Sequence, residues 1–337
     1  MDYTGGQSNY VMCKAFVFGK FMPFHSGHEA MIWFALGHCD QLTVLICCSD
    51  KELLPGSSRK QWIDSTFAGV PNIEIMILDY EEDELPSTSV TSQEVSAVWS
   101  EKFKELFPEH SLLVTSEPYG DLVAQFMGIR HIPFDLDKEL YPVSATKIRA
   151  DAFGNWDYLP ESVKEDFITK VVILGTESTG KTTLTDQLSR HFQSSAVLEA
   201  GRDIITDSQS FSMEDLQQIA VLHAEKIADA SVGKSPLLII DTDIHITLSY
   251  AQYAFDVLPV VDEVIYKRNK ADLYLYLNND VPFVQDGTRL TEQDRNALDH
   301  YHRATLKRFN IQYKEITGNW EERFKQSVAL IEGLISR

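Results

Sequence analysis

The chain has 337 residues, enough for two domains of ordinary size, and 44% apolar with 24% charged residues is the composition of a globular protein in water. A formal net charge of −20 excludes general nucleic-acid binding, which needs a basic footprint, and requires that any anionic substrate be held by local lysines, arginines, backbone N–H groups and a divalent cation. No apolar run approaches the roughly 20 residues that span a bilayer, and residues 1–10 lack the basic and apolar regions of a signal peptide, so a cytoplasmic protein with no membrane partner is expected.

Residues 1–13 read as a disordered leader. From Lys14 onward, apolar runs alternate with amphipathic stretches. Strands are predicted at 15–18, 42–48, 73–78, 112–115 and 131–134, with helices between them at 28–36, 59–67, 92–106 and 122–127. The acidic run 81–84 reads as a solvated loop. Cys13, Cys39, Cys47 and Cys48 show no zinc-like spacing and are expected to be reduced thiols, those at 47 and 48 within a buried strand. Residues 155–160 break the rhythm, and 154–169 is expected to be a linker. A second series follows, with strands at 171–174, 196–198, 237–240, 273–277 and 313–316 and helices at 213–230, 291–309 and 320–335. The alternation predicts an α/β protein of two doubly wound parallel sheets, in domains 14–153 and 170–337.

Directly after the first predicted strand runs Gly19-Lys20-Phe21-Met22-Pro23-Phe24-His25-Ser26-Gly27-His28. A turn carrying two histidines around a glycine, between a strand and a helix, suits adenylyl transfer. Gly27 lets the backbone approach a phosphate, and the helix N-terminus favours negative charge. His25 and His28 can donate hydrogen bonds to the α- and β-phosphates as charge builds on the leaving pyrophosphate. An incoming phosphate can attack the α-phosphorus itself, so positioning and charge stabilisation carry the catalysis. Taken alone, H-x-x-H also suits a helix cap or a metal pair. Residues 143–149, Val-Ser-Ala-Thr-Lys-Ile-Arg, supply a second feature. Ser144 and Thr146 can open a helix that holds a triphosphate, and Arg149 can clamp its outer charge.

After the strand at 171–174 comes Gly175-Thr176-Glu177-Ser178-Thr179-Gly180-Lys181-Thr182, a complete P-loop continuing into Thr183. Its backbone N–H groups would wrap the β-phosphate, Lys181 would reach the β- and γ-phosphates, and Thr182 would ligate Mg2+. Leu237-Leu238-Ile239-Ile240-Asp241-Thr242-Asp243 is a buried strand ending in carboxylates. Asp241 fits the Walker-B position beside Mg2+, and the plainer alternative is a strand-end cap.

G-K-F-x-P-x-H-x-G-H with a later S-x-T-K-I-R resembles the paired signature of the nucleotidyltransferase superfamily. Ser116-Glu117-Pro118-Tyr119-Gly120, Tyr141-Pro142 before Val143, and Trp156-Asp157-Tyr158-Leu159-Pro160 ahead of the P-loop narrow the likeness. Over residues 14–335 the chain resembles the NadR-type bifunctional enzymes, which join nicotinamide mononucleotide (NMN) adenylyltransferase to ribosylnicotinamide kinase. The resemblance implies a Rossmann-like nucleotidyltransferase at 14–153, making NAD from NMN and ATP with Mg2+. It implies a P-loop kinase at 170–337, making NMN from nicotinamide riboside and ATP.

By match to the family's motifs, Gly19, Lys20, Phe21, His25, Gly27, His28, Ser144, Thr146 and Arg149 handle ATP at the first site. Gly175, Glu177, Ser178, Thr179, Gly180, Lys181, Thr182 and Thr183 do so at the second. Arg59 and Trp62 are substrate-side candidates, Trp62 either stacking on the nicotinamide ring or simply packing. Glu199 sits where such kinases present an acidic group to the acceptor. Either Glu199 or Asp241 would orient or deprotonate the ribosyl 5′-hydroxyl, with Arg202 and Asp203 in the same loop. Ala200-Gly201 replaces the aromatic residue that relatives tend to carry, which leaves the acceptor open. Residues 280–289 resemble a lid, with Arg289 first and Arg295 second as the cation on the transferring phosphoryl group, and Phe283 as a stacking residue. Residues 316–320 resemble a turn near adenine. Some family members carry an N-terminal helix-turn-helix domain, and the roughly dozen residues before the first strand here are too few for that module.

Two other readings combine the same motifs. A fused ATP sulfurylase and adenylylsulfate kinase also pairs H-x-G-H with a P-loop, but its transferase is normally larger and lacks S-x-T-K-I-R. A non-catalytic nucleotide sensor would keep the same cradles, and the sequence leaves homo-oligomerisation open.

Overall fold

The structure is a computed structural model and describes residues 12–86, 92–205, 211–281 and 291–335. The chain divides into two compact units, Met1–Val163 and Lys164–Arg337.

In the first unit the elements follow as β1 (Lys14–Gly19), α1 (Ser26–Leu36), β2 (Gln41–Ser49), α2 (Gly56–Thr66), β3 (Ile73–Tyr80), α3 (Gln93–Leu106), β4 (Leu112–Thr115), α4 (Tyr119–Met127), β5 (Arg130–Pro133) and α5 (Ala145–Ala150). The strands form a parallel sheet in the order β3-β2-β1-β4-β5. β1 and β2 are apolar on both faces because both faces are covered, whereas the edge strands β3 and β5 are only partly buried. Phe16 and Phe18 of β1 pack on Phe103 of α3 at centroid distances of 5.3 and 4.5 Å, within a cluster that includes Trp99 and Phe107. Truncating Phe103 to Ala should cost about 3–5 kcal/mol. The strand order reverses at β1, between β2 and β4, and a ligand crevice is expected beyond the carboxyl ends of those strands. The two-histidine turn leaves β1 there, and residues 116–120 leave β4 there.

Beyond α5, the stretch expected as a linker is packed rather than open. A 3-10 turn at Trp156–Tyr158 buries Trp156, Leu159 is buried as well, and the boundary between units falls within α6 (Glu161–Phe167).

The second unit continues with β6 (Thr169–Leu174), α7 (Lys181–Phe192), β7 (Ser195–Val197), α8 (Gly201–Ile204), α9 (Met213–Ser231), β8 (Leu237–Asp241), α10 (Ile244–Phe255), α11 (Glu263–Asn269), β9 (Leu273–Leu277), α12 (Glu292–Arg308), β10 (Lys314–Ile316) and α13 (Trp320–Ile335). Its sheet is also parallel, in the order β10-β9-β6-β8-β7. β6 lies at the centre, so the loop after it is flanked by the ends of β8 and β9. Both units are therefore parallel α/β sheets, as the alternating pattern predicted. The long helices match the predicted spans to within two residues. α10 escaped the sequence reading because Ile244, Ile246, Leu248 and Ala251 are buried around most of its circumference, which erases the amphipathic period. No described helix is long and apolar enough to cross a membrane.

Candidate functional site

At the first site, β1 ends in Gly19 and the chain turns through Phe21 at φ 48° into α1, with His25 at the N-cap position. His25 makes no side-chain cap bond, so helix capping does not account for it. The His25 and His28 rings stack with centroids 3.7 Å apart and planes 21° apart. Phe21, 1% exposed, meets His28 edge-on at 4.9 Å, and the Phe24 ring lies nearly parallel to it at 6.1 Å. A side chain at Gly27 would come within 3.2 Å of the His25 ring and 3.4 Å of Tyr141, so this position must stay small. Burial first, then the Lys138 ammonium, lowers the His25 pKa to about 4. Burial, His25 and Lys138 hold His28 well below the usual imidazole range. Both rings are therefore neutral at pH 7, and their Nδ1 atoms, like Ser26 Oγ, are buried with no protein partner.

Facing this turn is α5. Ser144 caps it, accepting from the Lys147 N–H at 3.2 Å. Exposed Arg149 donates to the Met22 carbonyl and to Thr146 Oγ1, the latter at 3.1 Å. The structure thus brings together His25, His28, Thr146 and Arg149, which lie far apart in the chain. Lys20 is in ion pairs with Glu52 at 2.9 Å and Glu82 at 3.9 Å. The second Glu52 oxygen pairs with Arg59 at 2.6 Å. Arg59 is fully buried and donates to the carbonyls of Lys20, Cys47 and Leu54, so in this structure it braces the loop after β1, with no surface toward a ligand. Trp62, 2% exposed, lies in the core. Lys138 was missed by the sequence reading. It stands on a left-handed turn at φ 53°, paired with Glu117 at 3.0 Å, and no spacing rule links residue 138 to the histidines.

At the second site, Gly175 (φ 139°), Ser178 (φ 60°) and Gly180 (φ 87°) carry the loop from β6 into α7. Thr176 Oγ1 donates to Asn279 Oδ1 at 2.7 Å, and Thr179 Oγ1 donates to the Thr176 carbonyl at 2.7 Å. Lys181 Nζ reaches the same carbonyl at 3.1 Å. The α7 N-terminus has no side-chain cap, which leaves its N–H groups for an anion. Thr182, followed by Thr183 in the first turn of α7, donates to Asp241 Oδ2 at 2.6 Å, with Arg202 3.3 Å from the same hydroxyl. Asp241 is fully buried at the end of β8. Thr242 follows at φ 73°, an unusual conformation for a β-branched residue, held by the Ile173 carbonyl and by His223.

Glu199 is half-buried beyond β7, and its carboxyl pKa is raised. Burial is the main cause, and the charges of Asp241 and Glu177 act in the same direction against those of Lys181 and Arg202. Half-buried Tyr250 of α10 donates to Glu177 at 3.4 Å, and its ring lies 5.5 Å from that of His302 at a tilt of 58°, a second feature the sequence did not reveal. Asp203 points away to Lys226. Arg295 is buried on α12, 3.7 Å from Glu292. Phe283 and Arg289 lie outside the described residues.

Three comparisons bear on this geometry. A family model described as an AAA domain matches residues 170–323, within the second unit. The trifunctional NAD biosynthesis/regulator proteins NadR of Salmonella typhimurium and Escherichia coli are each 29% identical over 345 residues, covering 95% of this chain and 82% of theirs. The chain is thus similar to NadR proteins along nearly its whole length. Crystal structures of NadR proteins, one in complex with NR and one with NAD and AMP-PNP, share its fold with a TM-score of 0.72 over 97% of both chains, at 18% and 19% identity. The likeness to NadR proteins therefore runs through both units.

Proposed function

We propose that this protein is a NadR-type bifunctional enzyme of NAD biosynthesis: the second unit phosphorylates nicotinamide riboside to NMN, and the first adenylylates NMN to NAD. The observation that carries the reading is the presence, in one chain, of a neutral stacked His25–His28 pair facing Arg149 and of a Lys181–Thr182–Asp241 cradle beside Glu199.

In the first reaction a phosphate oxygen of NMN attacks the α-phosphorus of ATP and the bond to pyrophosphate breaks. His25 and His28 act as neutral N–H donors toward the phosphates, while Arg149 neutralises the leaving group. In the second, the riboside 5′-hydroxyl attacks the γ-phosphorus and ADP leaves. Asp241 is engaged by the Thr182 hydroxyl. That leaves Glu199, whose affinity for a proton is raised by burial, as the group that accepts the hydroxyl proton. Lys181 exchanges the Thr176 carbonyl for the β- and γ-phosphate oxygens.

Among the described residues no group of three or more His, Cys, Asp or Glu is placed to hold a metal ion by itself. Mg2+ commonly takes only one or two protein oxygens, so the paired Thr182 hydroxyl and Asp241 carboxylate fit it at the second site. Mg2+ bound there would neutralise charge on the phosphates. The substrates are small molecules, and with its acidic balance the protein is assigned no nucleic-acid partner and a cytoplasmic location.

Radiolabelled ATP supplied with nicotinamide riboside tests the assignment. Label should appear in NMN when it starts at the γ-phosphate and in NAD when it starts at the α-phosphate. A product that depends on sulfate, or tight binding without any product, would overturn it.

A further inference from the structure

Arg323 of α13 makes four hydrogen bonds around the second site, and the proposed mechanism assigns it no part. It is 1% exposed. Its Nε donates to the Gly318 carbonyl at 2.9 Å, Nη1 to the Thr179 carbonyl at 2.8 Å, and Nη2 to the Asn278 carbonyl at 2.9 Å and to Asp280. Asp280 in turn accepts from the Gly318 N–H at 2.6 Å. One guanidinium therefore ties together the P-loop, the residues after β9 and the turn after β10.

We infer that Arg323 is a positioning residue for phosphate binding: by holding the Thr179 carbonyl it aims the Gly180 N–H into the phosphate cradle. The physical basis is the planar trans peptide, in which the carbonyl and the following N–H point in opposite directions. Fixing the Thr179 oxygen toward α13 leaves the Gly180 hydrogen directed away from it. Gly180 needs such a constraint because its φ of 87° lies where glycine is free to move to other conformations. Its other neighbour is the Trp320 ring, which stands where a side chain at 180 would lie and which packs 5.7 Å from the Arg323 guanidinium. One other loop anchor, Lys181 on the Thr176 carbonyl, is released when Lys181 turns to phosphate, whereas Arg323 can keep its carbonyls throughout. A lysine keeps the charge but lacks the planar fork that reaches three carbonyls at once.

This inference rests on the kinase reading of the second site. The test is Arg323→Lys in the full chain, with both half-reactions measured. The expected result is a rise of about 10-fold in KM for ATP in riboside phosphorylation, with a smaller change in kcat and KM for the riboside. Adenylyl transfer should stay within twofold. The chain contains three Thr–Gly pairs, at residues 4–5, 179–180 and 317–318, so labelling threonine carbonyl carbon and glycine nitrogen isolates three amide signals. The Gly180 signal should shift when a non-hydrolysable ATP analogue binds the parent protein and fail to shift in Arg323→Lys. An unchanged KM for ATP, or the same Gly180 shift in both proteins, overturns the inference. If Arg323→Lys does not fold, Asp280→Asn, which frees one edge of the guanidinium, should raise KM for ATP about 3-fold, and an unchanged value overturns it equally. A parent protein that neither phosphorylates the riboside nor shows the shift would instead remove the kinase reading itself.

Discussion

In the first unit the groups proposed to meet phosphate are two imidazoles that burial and the Lys138 ammonium keep uncharged, with one exposed arginine on the facing helix. In the second they are a lysine ammonium, a helix N-terminus without a cap, and a hydroxyl–carboxylate pair. Neutral donors cost less to bury than charged ones and strengthen as charge develops on the leaving pyrophosphate. A P-loop meets a polyphosphate with backbone dipoles and a full positive charge, and so binds the ground state as well. On the proposed reading, the contrast gives two ways for a chain of net charge −20 to hold ATP through local groups.

The largest expected effects separate the two sites. Lys181→Ala should lower riboside phosphorylation about 10³-fold while adenylylation of supplied NMN stays within twofold. His28→Ala should do the reverse, lowering adenylyl transfer about 10²-fold or more. If either change removed both activities from folded protein, the two sites would not be independent. Asp241→Asn should follow, with a loss of about 10²-fold in phosphorylation alone and a higher Mg2+ requirement in a metal titration. An unchanged titration would mean that Asp241 only anchors Thr182.

A smaller effect sharpens the role of the P-loop backbone. A Cβ at Gly180 would lie 2.1 Å from the Trp320 ring, and φ there is 87°. Gly180→Ala should therefore weaken ATP binding at the second site and destabilise that unit. Removing the ring in Gly180→Ala/Trp320→Ala should recover only part of the loss, because about 1–2 kcal/mol of left-handed strain remains. Denaturant unfolding monitored alongside ATP titration separates the contact from the strain, and complete recovery would show that strain contributes nothing.

Much of this was legible in the sequence because it is local. The run 171–182 specifies strand, turn and helix within a dozen residues, and the structure forms all three in that order. The alternation of apolar runs likewise announced parallel sheets. What stayed hidden depends on contacts across the chain. Lys138 comes to stand by the histidines through a turn whose left-handed residues, Asp135 and Lys138, carry no glycine signal. Arg59 is a substrate-side candidate only through the family resemblance, and in the structure Glu52 and three carbonyls enclose it. Arg323 left one trace. It occupies the position in α13 that Ser327 and Ile331 continue at four-residue spacing, the buried stripe of that helix, where an arginine needs internal partners.

The smallest expected effect on catalysis concerns pH, and it tests whether the first site really uses neutral donors. An exposed histidine titrates near 6.5, whereas His25 is held at about 4 by burial and Lys138. Between these values the unfolded chain binds a proton at residue 25 that the folded chain does not. This contribution to stability is therefore intact above the unfolded value and is lost as pH falls from about 6.5 to about 4. With 5% exposure the contribution is of the order of 3 kcal/mol. Catalysis should be less sensitive over most of that window. In the free enzyme His25 stays neutral down to about pH 5, so kcat/KM for adenylyl transfer should change less than twofold between pH 7.5 and 5.5 on its account. A break centred near 6.5 that disappears in His25→Asn would show that protonation of an accessible imidazole governs the reaction. A flat profile together with falling thermal stability over the same range is the signature of two histidines kept neutral by the fold.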